Sequence, residues 1–376
     1  MGLSIKQTEI TKGMRILYIT NGISGAGGLE RVLSIKASYL ADHLDYQVHI
    51  LTLNSTEAPF YEFSSRINFH NIIVGGNPIK YISSYLHGIK DVINEVKPDV
   101  ISVCDDGLKA FFLPKLLGKP CPMIYERHVS KLIAVSAQNQ KGLKKILVNF
   151  QFKLMDLLGN SYDKFVVLTA GNLKEWQLKN LQVISNPLSF YPVESATLQN
   201  KKVIAVGKQS YQKGYDRLLT AWQKVAEKHP DWQLEIYGTF ASDGKLPEQA
   251  KQLGIDQNVH FFAPEKNIQS KYLDASIYLM SSRYEGFGMV LIEAMACGVP
   301  CVSFDCPHGP ADIISANDGI LVPNGNINAL ADALLSLINN ETLRKTMGSN
   351  AKENVKRYLP EGIMKEWDEL FKQVAK

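Results

Sequence analysis

Residues 281–300 of the chain read Ser-Ser-Arg-Tyr-Glu-Gly-Phe-Gly-Met-Val-Leu-Ile-Glu-Ala-Met-Ala-Cys-Gly-Val-Pro. They follow a short apolar run, Ile277–Met280, which predicts the end of a buried strand. Gly286 and Gly288 allow a tight turn with the backbone close to a ligand. From Met289 onward the pattern is helical. The segment therefore predicts a strand, a tight turn and a helix that begins where a ligand can approach.

Glu293 is the one polar residue between Met289 and Cys297. A helix that is apolar all round is buried, so it offers this carboxylate no solvated face, and a buried carboxylate needs a partner. Glu285 lies eight residues earlier, on the loop that leads into the helix. Free backbone N–H groups and the positive end of the helix dipole predict an anion site between the two acids. Carboxylates beside a phosphate site favour hydroxyl partners, so the pattern indicates a nucleotide sugar.

Glu285 and Glu293, with Gly286-Phe287-Gly288 between them, resemble the E-x7-E motif of retaining glycosyltransferases of the GT-B fold, family 4. The resemblance extends over nearly the whole chain and is most specific in its second half. It implies that the residues from Glu285 through Met289, together with Glu293, surround the sugar nucleotide donor.

Length and composition bound the class of protein. The 376 residues suit two domains, and 45% hydrophobic with 21% charged residues is the balance of a globular protein. A net charge of +4, with no basic run interleaved with aromatic residues, excludes nucleic acid as the expected partner. The five cysteines lack zinc spacing, and no signal peptide or membrane-spanning stretch is recognisable. The sequence therefore predicts a cytoplasmic protein with reduced thiols.

The first half of the chain alternates between strand and helix patterns. Met14–Thr20 predicts a strand, a glycine-rich loop follows, Leu29–His43 predicts a helix and Gln47–Leu53 a second strand. Strand, helix and strand at this spacing are the parallel unit of a doubly wound sheet.

The alternation restarts after a polar linker around residues 186–202. The sequence thus predicts an α/β protein with two doubly wound, Rossmann-like domains, residues 1–187 and 188–357. The family resemblance implies the GT-B architecture, in which the two domains face each other across a cleft and the first is the acceptor side. It also implies that the terminal helix, residues 358–376, packs back on the first domain.

Two lysines follow a predicted strand end in the second half. Lys208 and Lys213 lie on a loop at the carboxyl edge of the sheet, where their charges can neutralise a diphosphate leaving group. They resemble the family's Arg-plus-Lys pair, and this chain departs from that pattern at Lys208, where arginine is commoner. Ordinary surface lysines are the alternative explanation.

No Asp-x-Asp sequence follows a predicted strand. Metal-dependent transferases use such carboxylates to hold Mg²⁺ against the diphosphate. The sequence therefore predicts no metal and no cofactor other than the nucleotide sugar donor.

His128 closes a predicted strand in the sequence Glu126-Arg127-His128. It resembles the family histidine that lies across the cleft from the donor sugar. A histidine there can bind a sugar hydroxyl or orient the acceptor, whereas a satisfied structural histidine is the plainer alternative.

Glycine-rich positions complete the predicted site. The loop with Gly27 and Gly28 lacks the dinucleotide-binding fingerprint, since Glu30 stands at the third glycine position. The resemblance implies that this loop faces the donor phosphates and the acceptor, although a plain tight turn is an equal alternative. The loops that contain Gly238 and Ala263 are expected to meet the base and ribose because they follow strand ends.

Residues 141–157 interleave lysines with large apolar side chains. Such a basic amphipathic segment can lie on anionic lipid at the inner face of a membrane, or it can be a core helix with a solvated lysine edge. Peripheral membrane contact is thus one of two open predictions for this segment.

The residues and the resemblance together predict a retaining, metal-independent glycosyltransferase. It would move a sugar from a nucleotide diphosphate donor, UDP rather than GDP, to a saccharide or lipid-linked saccharide acceptor in surface polysaccharide synthesis. A nucleotide-sugar epimerase of the same fold remains an alternative, because fold does not determine function. A nucleotide-sugar-binding subunit without turnover is the second alternative, although the presence of both acids, Lys213 and His128 argues against an inactive copy.

Overall fold

The computed structural model describes residues 13–134, 143–241 and 243–376. Within these residues the chain forms two parallel sheets, each flanked by helices. The α/β prediction is confirmed, and the two sheets divide the chain near the predicted linker.

The first sheet has seven strands in the order β3-β2-β1-β4-β5-β6-β7 across the described residues. Its strands are β1 (Arg15–Thr20), β2 (Gln47–Leu53), β3 (Asn68–Ile72), β4 (Val100–Cys104), β5 (Met123–Glu126), β6 (Lys164–Val167) and β7 (Leu181–Val183). The interior strand β1 pairs in parallel with β2 and β4, which places Tyr18 beside Ile50 and Ser102. The helices of the first domain are α1 (Gly28–His43), α2 (Pro78–Val96), α3 (Leu113–Leu117), α4 (Leu143–Gly159) and α5 (Ala170–Leu173), with 3₁₀ turns at Leu108–Phe112 and Lys131–Ala134.

The second sheet has six strands in the order β10-β9-β8-β11-β12-β13 across the described residues. Its strands are β8 (Lys202–Val206), β9 (Gln233–Tyr237), β10 (Val259–Phe262), β11 (Ile277–Met280), β12 (Cys301–Asp305) and β13 (Gly319–Pro323). Its helices are α6 (Tyr215–Lys228), α7 (Lys245–Gln252), α8 (Ile268–Leu273), α9 (Met289–Ala296), α10 (Pro310–Ile313), α11 (Ile327–Asn339) and α12 (Glu341–Asn354), followed by a 3₁₀ turn at Val355–Tyr358.

The final helix α13 (Pro360–Val374) packs on α1 of the first domain. Trp367 and Phe371 are buried, and the Tyr46 hydroxyl donates to Asp368 Oδ1 at 2.6 Å. A one-sided apolar stripe on an amphipathic helix requires such a partner surface. The last helix thus ties the end of the chain to the first sheet.

Strand β3 is the one strand among the described residues that the sequence pattern did not predict. Its residues Asn-Phe-His-Asn-Ile lie at the sheet edge and are half-buried or exposed. An edge strand without a buried face lacks the apolar alternation that marks a strand. In contrast, α9 is buried along nearly its whole length, as the apolar run around Glu293 predicts.

Candidate active site in the interdomain cleft

A cleft of about 490 Å³ opens between the carboxyl edges of the two sheets. Ligand sites of α/β proteins form at this edge, and pockets of several hundred Å³ are typical of small-molecule sites. Both halves of the chain line this cleft. The first half contributes residues 25–31, Phe60, Tyr61, Asp106, His128, Val129 and Asn186. The second half contributes residues 206–208, Gln212, Lys213, residues 237–239, Pro264, Glu265, Ile268, residues 285–290 and Glu293.

Glu285 lies on the loop between β11 and α9 and is only 5% exposed. Its Oε1 accepts hydrogen bonds from Lys213 Nζ at 2.8 Å and from the Ser282 hydroxyl at 2.5 Å. Its backbone N–H donates to the Pro307 carbonyl, which fixes the loop. The carboxylate is therefore charge-balanced before any ligand arrives.

Glu293 lies in the second turn of α9 and is 2% exposed. Its Oε1 accepts from an Arg31 guanidinium N–H at 2.8 Å and from the Ser189 hydroxyl at 2.9 Å, and its Oε2 accepts from the Tyr272 hydroxyl at 3.2 Å. A carboxylate has about four lone-pair positions, so it retains the capacity for a further donor. The sequence pattern had pointed to ligand hydroxyls alone, whereas the fold supplies two hydroxyls and an arginine of its own.

Arg31 connects the two walls of the cleft, because it belongs to α1 of the first domain. Burial lowers the pKa of its guanidinium, but the charge of Glu293 together with Tyr61 and Tyr272 outweighs burial, and the pKa is raised. The guanidinium also lies over the ring of Tyr61, 4.6 Å from its centroid. A charge-assisted contact across the cleft thus holds the domains against each other.

Both predicted phosphate lysines line the cleft. Lys213 is partly buried and pairs with Glu285, whereas Lys208 is exposed. An ammonium has three N–H groups, so Lys213 can contact a phosphate while it holds Glu285. The amino end of α9, from Gly286 to Met289, lines the same region. Lysines and a helix N-terminus together make this part of the cleft positive.

Gly286 explains how the domains approach so closely. A Cβ atom at this position would lie 2.4 Å from the carbonyl oxygen of His128, across the cleft. Only glycine fits such a backbone contact. The Glu285 loop and the His128 loop are therefore neighbours, although they belong to different domains.

His128 lies where β5 ends, with its side chain 6% exposed. Its Nε2 is 3.2 Å from Glu126 Oε2. Burial raises the pKa of Glu126, but the Lys36 ammonium and the His128 hydrogen bond outweigh burial and lower it to about 2. A permanently charged carboxylate thus lies behind the histidine.

The glycine-rich loop differs from a phosphate cradle. Gly27 and Gly28 line the cleft, and a Cβ atom on Gly28 would lie 3.9 Å from Met289 Cγ. The carboxylate of Glu30 lies against this loop, since a Cβ atom on Gly25 or Gly27 would be 2.5 Å from one of its oxygens. A carboxylate repels a phosphate, so the structure favours a neutral ligand beside this loop.

Of the two residues expected near the base, Gly238 and Ala263, only the first lines the cleft. Gly238 lines the cleft, and so does Thr239 next to it. Ala263 is exposed and does not line the cleft, whereas its neighbours Pro264 and Glu265 do. The loop after β10 thus reaches the cleft through Pro264 and Glu265, while its part in binding the base stays a prediction.

One group of side chains in the described part of the chain has the spacing of metal ligands, namely Cys104, Glu126 and His128, whose ligand atoms lie within 4.8 Å of one another. Lys36 Nζ already lies 2.5 Å from Glu126. Burial and the charge of Glu126 raise the pKa of the Cys104 thiol well above its ordinary value, so it stays protonated. A protonated thiol and an ammonium do not fit a metal centre.

Sequence reasoning missed the residues that support the predicted ones. Arg31, Tyr61, Ser189 and Tyr272 surround Glu293, and Glu126 lies behind His128. Of these residues, Arg31 was the one that the sequence could most readily have revealed. It follows the glycine-rich loop by three residues, which places it at the start of α1.

Two doubly wound sheets that face each other across a ligand cleft define the GT-B class of α/β protein. Comparison with known proteins agrees: residues 192–354 match the family described as glycosyl transferases group 1, and residues 26–159 match a family described as glycosyl transferase 4-like.

Two relatives and one structural neighbour each match more than nine tenths of the chain. The amylovoran biosynthesis glycosyltransferase AmsD of Erwinia amylovora is 31% identical over 368 residues, which cover 95% of this chain and 99% of that protein. An α-1,4-N-acetylgalactosaminyltransferase of Campylobacter jejuni, named for a diNAcBac-PP-undecaprenol-linked acceptor, is 24% identical over 96% of this chain and 99% of its own. The structure of Anabaena HepE in complex with UDP-glucose superposes with a TM-score of 0.76 at 17% identity, over 96% of this chain and all (100%) of that one.

The chain therefore belongs to the family of group 1 glycosyltransferases. It is a glycosyltransferase with the GT-B fold, which confirms the predicted enzyme class and fold. Of the three predicted functions, the transferase is the one that the relatives share.

Proposed function

We propose that this glycosyltransferase is a retaining, metal-independent enzyme that uses a UDP-sugar donor and a saccharide or lipid-linked saccharide acceptor. One observation carries the proposal: two buried carboxylates bracket the amino end of α9 in the cleft, with Lys208 and Lys213 beside them and His128 opposite. Carboxylates suit sugar and ribose hydroxyls, and the cations suit the diphosphate.

Retention without a covalent intermediate is supported by the surroundings of Glu285. This carboxylate already pairs with Lys213 and accepts a bond from Ser282, both of which reduce its nucleophilicity. We propose that it holds hydroxyls of the transferred sugar, while the departing diphosphate oxygen takes the proton of the acceptor on the same face. Double displacement would instead require a free carboxylate beside the anomeric carbon.

Stereochemistry can be tested on the reaction product. The purified enzyme is incubated with an α-linked UDP-sugar and an acceptor saccharide, and the product is examined at once by proton NMR. We expect the anomeric coupling of an α-linked product. A β-linked product would contradict retention.

Metal independence is supported by the positive charge that the chain itself supplies at Lys208, Lys213 and the amino end of α9. These groups can neutralise the diphosphate as it leaves. We expect turnover to be unchanged in excess chelator. Activity that is lost in chelator and restored by Mn²⁺ would contradict this part of the proposal.

UDP as the nucleotide is supported by the neighbouring HepE structure, which is described as a complex with UDP-glucose. In this chain the base would meet the loops after β9 and β10, around Thr239 and Pro264, which line the cleft. A ligand that binds only the folded state raises the melting temperature. We expect UDP-sugars to raise it more than GDP-sugars at equal concentration, and the reverse order would overturn the choice of UDP.

We further propose that the enzyme contacts a membrane surface, where a lipid-linked acceptor would lie. Among the described residues, no helix is both long and apolar enough to cross a bilayer. Helix α4 nevertheless exposes Ile146, Leu147, Phe150 and Leu157, each at least 64% accessible, with Lys145 and Lys153 also exposed. Lys141 of the predicted segment 141–157 lies outside the described residues. An exposed apolar face edged by lysines suits an anionic lipid surface, where a lipid-linked acceptor resides.

Vesicle binding tests this contact. We expect the enzyme to sediment with anionic vesicles, and expect the double variant Lys145→Glu with Lys153→Glu to stay in the supernatant. The control is Lys228→Glu with Lys251→Glu, two exposed lysines on the second domain. Equal binding by both double variants would remove α4 as the contact surface.

A further inference from the structure

A buried polar cluster lies directly behind His128. Glu126 is the last residue of β5 and is 1% exposed. Its Oε2 lies 2.5 Å from Lys36 Nζ and 3.2 Å from His128 Nε2, and its Oε1 accepts from the Ser102 hydroxyl at 2.6 Å. Three side chains, from α1, β4 and the loop after β5, thus meet at this carboxylate of β5.

The charge on Glu126 decides which nitrogen of His128 carries the proton. The pKa of about 2 leaves this group ionised at neutral pH, and an ionised carboxylate only accepts hydrogen bonds. Nε2 of His128 must therefore be the donor. In a neutral imidazole the other nitrogen, Nδ1, is then an acceptor.

Nδ1 of His128 is buried and has no hydrogen-bond partner among the described residues. Buried polar atoms without a partner are rare in folded proteins, and each requires an explanation. His128 is one of the residues that line the cleft. A ligand hydroxyl would supply the donor that the protein itself does not.

We propose that Glu126 is a positioning residue that fixes His128 as the Nε2–H tautomer, so that the histidine meets its substrate as a hydrogen-bond acceptor at Nδ1. Glu126 acts through His128 and does not touch the substrate. The identity of the substrate hydroxyl rests on the proposed function, whereas the tautomer is a property of the free protein.

Lys36 and the terminal helix complete this arrangement. The Lys36 ammonium is buried and lies 3.3 Å from the ring centroid of Trp367 in α13. It balances the charge of Glu126, and the aromatic face stabilises the ammonium away from water. The helix that returns to the first domain thereby supports the residue that orients His128.

Nitrogen NMR of the free protein tests the tautomer directly. The protein is labelled with ¹⁵N in its eight histidines, and the His128→Gln variant identifies the resonances of His128 by their absence. We expect the neutral imidazole of His128 to carry its proton on Nε2 and to leave Nδ1 unprotonated. A protonated Nδ1 in the wild-type protein overturns the proposal, whatever the donor and acceptor prove to be.

Two variants test whether Glu126 is the cause. Glu126→Gln replaces the carboxylate by an amide that can either donate or accept, so we expect the resonances of His128 to become those of a tautomer mixture. Because this change leaves Lys36 without its partner, the double variant Glu126→Gln with Lys36→Met removes both charges and protects the fold. An unchanged Nε2–H tautomer in both variants overturns the proposal.

Kinetics separate orientation from simple destabilisation. In the double variant we expect kcat to fall by about 10²-fold, with the donor KM within about threefold, because a misprotonated histidine impairs turnover more than binding. The matched control is Asp156→Asn, which breaks another mostly buried pair of the first domain, to Lys131 at 2.7 Å. We expect this control to keep both the tautomer and kcat, and an equal loss of kcat in the control would overturn the assignment.

Discussion

The two walls of the cleft carry their charges in different ways. The second-domain wall presents the cations Lys208 and Lys213 to the cleft, beside the amino end of α9. The first-domain wall holds Arg31 in its pair with Glu293, keeps Lys36 buried behind His128, and has the Glu30 carboxylate against its glycine-rich loop. Phosphates need exposed positive charge, whereas neutral hydroxyls need acceptors. We propose that the second domain binds the diphosphate and, through Glu285 and Glu293, hydroxyls of the donor, whereas the first domain meets only neutral hydroxyls.

The largest expected effect belongs to the second-domain wall. Substituting Glu285→Gln removes an acceptor for the sugar hydroxyls and leaves Lys213 without its counter-charge. We expect kcat/KM to fall by about 10³-fold, the size typical of a lost group that stabilises the transition state. Steady-state kinetics measure this change, and Glu248→Gln on exposed α7 is the control. Activity within a few-fold of wild type in Glu285→Gln would remove the second wall from catalysis.

The two lysines should differ from each other. Lys213→Met is expected to lower kcat by about 10²-fold and Lys208→Met by about 10-fold. The reason is that Lys213 is partly buried and held by Glu285, whereas Lys208 is exposed and screened by water. Parallel kinetic measurements on the two variants decide the order. A larger effect at Lys208 would show that the exposed lysine makes the main phosphate contact.

Arg31 is where the two walls join, and its loss should show in stability. Arg31→Met leaves Glu293 buried with Ser189 and Tyr272 as its remaining partners among the described residues, which we expect to lower the free energy of unfolding by about 2 kcal/mol. Urea unfolding measures the change. Lys201→Met, which breaks the exposed pair with Asp231, should leave the free energy of unfolding nearly unchanged. Equal losses in the two variants would mean that the contact across the cleft is no stronger than a surface pair.

The smallest expected effect is in the pH dependence of stability. The pKa of Glu126 is lowered from its ordinary 4.5 to about 2, so its ion pair stabilises the fold fully above the ordinary pKa and this contribution is lost as the pH falls toward about 2. Wild-type stability should therefore fall more steeply with acid than that of the double variant Glu126→Gln with Lys36→Met. Urea unfolding between about pH 3 and pH 6 tests the slope. Parallel slopes would contradict the buried ion pair.

The sequence predicted the second-domain wall better than the first. One strand-turn-helix segment contains Glu285, Glu293 and the glycines between them. These residues are neighbours in the fold because they are neighbours in the sequence. Lys208 and Lys213 were placed at the same sheet edge by the rule that parallel strands share a carboxyl end. Local patterns are sufficient when one short segment carries the chemistry.

The first-domain wall depends on contacts that no local pattern shows. Arg31 and Glu293 are 262 residues apart in the chain, and Lys36 and Glu126 are 90 apart. His128 was recognised at a strand end, but the carboxylate behind it was not, because a charged residue that ends a short strand is ordinarily solvated. Strand β3 was missed for a different reason. It lies exposed at the sheet edge, so its sequence lacks the alternation of apolar and polar residues from which a strand is predicted.

Calorimetric titration of the enzyme with UDP tests most directly whether the two walls of the cleft have different ligand-binding roles. We predict that Glu293→Gln weakens UDP binding by about 10-fold or more, because a charged acceptor for the ribose is lost. We predict that His128→Gln leaves the Kd for UDP within about twofold, because the first wall contacts only sugar or acceptor hydroxyls. Unchanged affinity in Glu293→Gln, or a large loss in His128→Gln, would contradict the account.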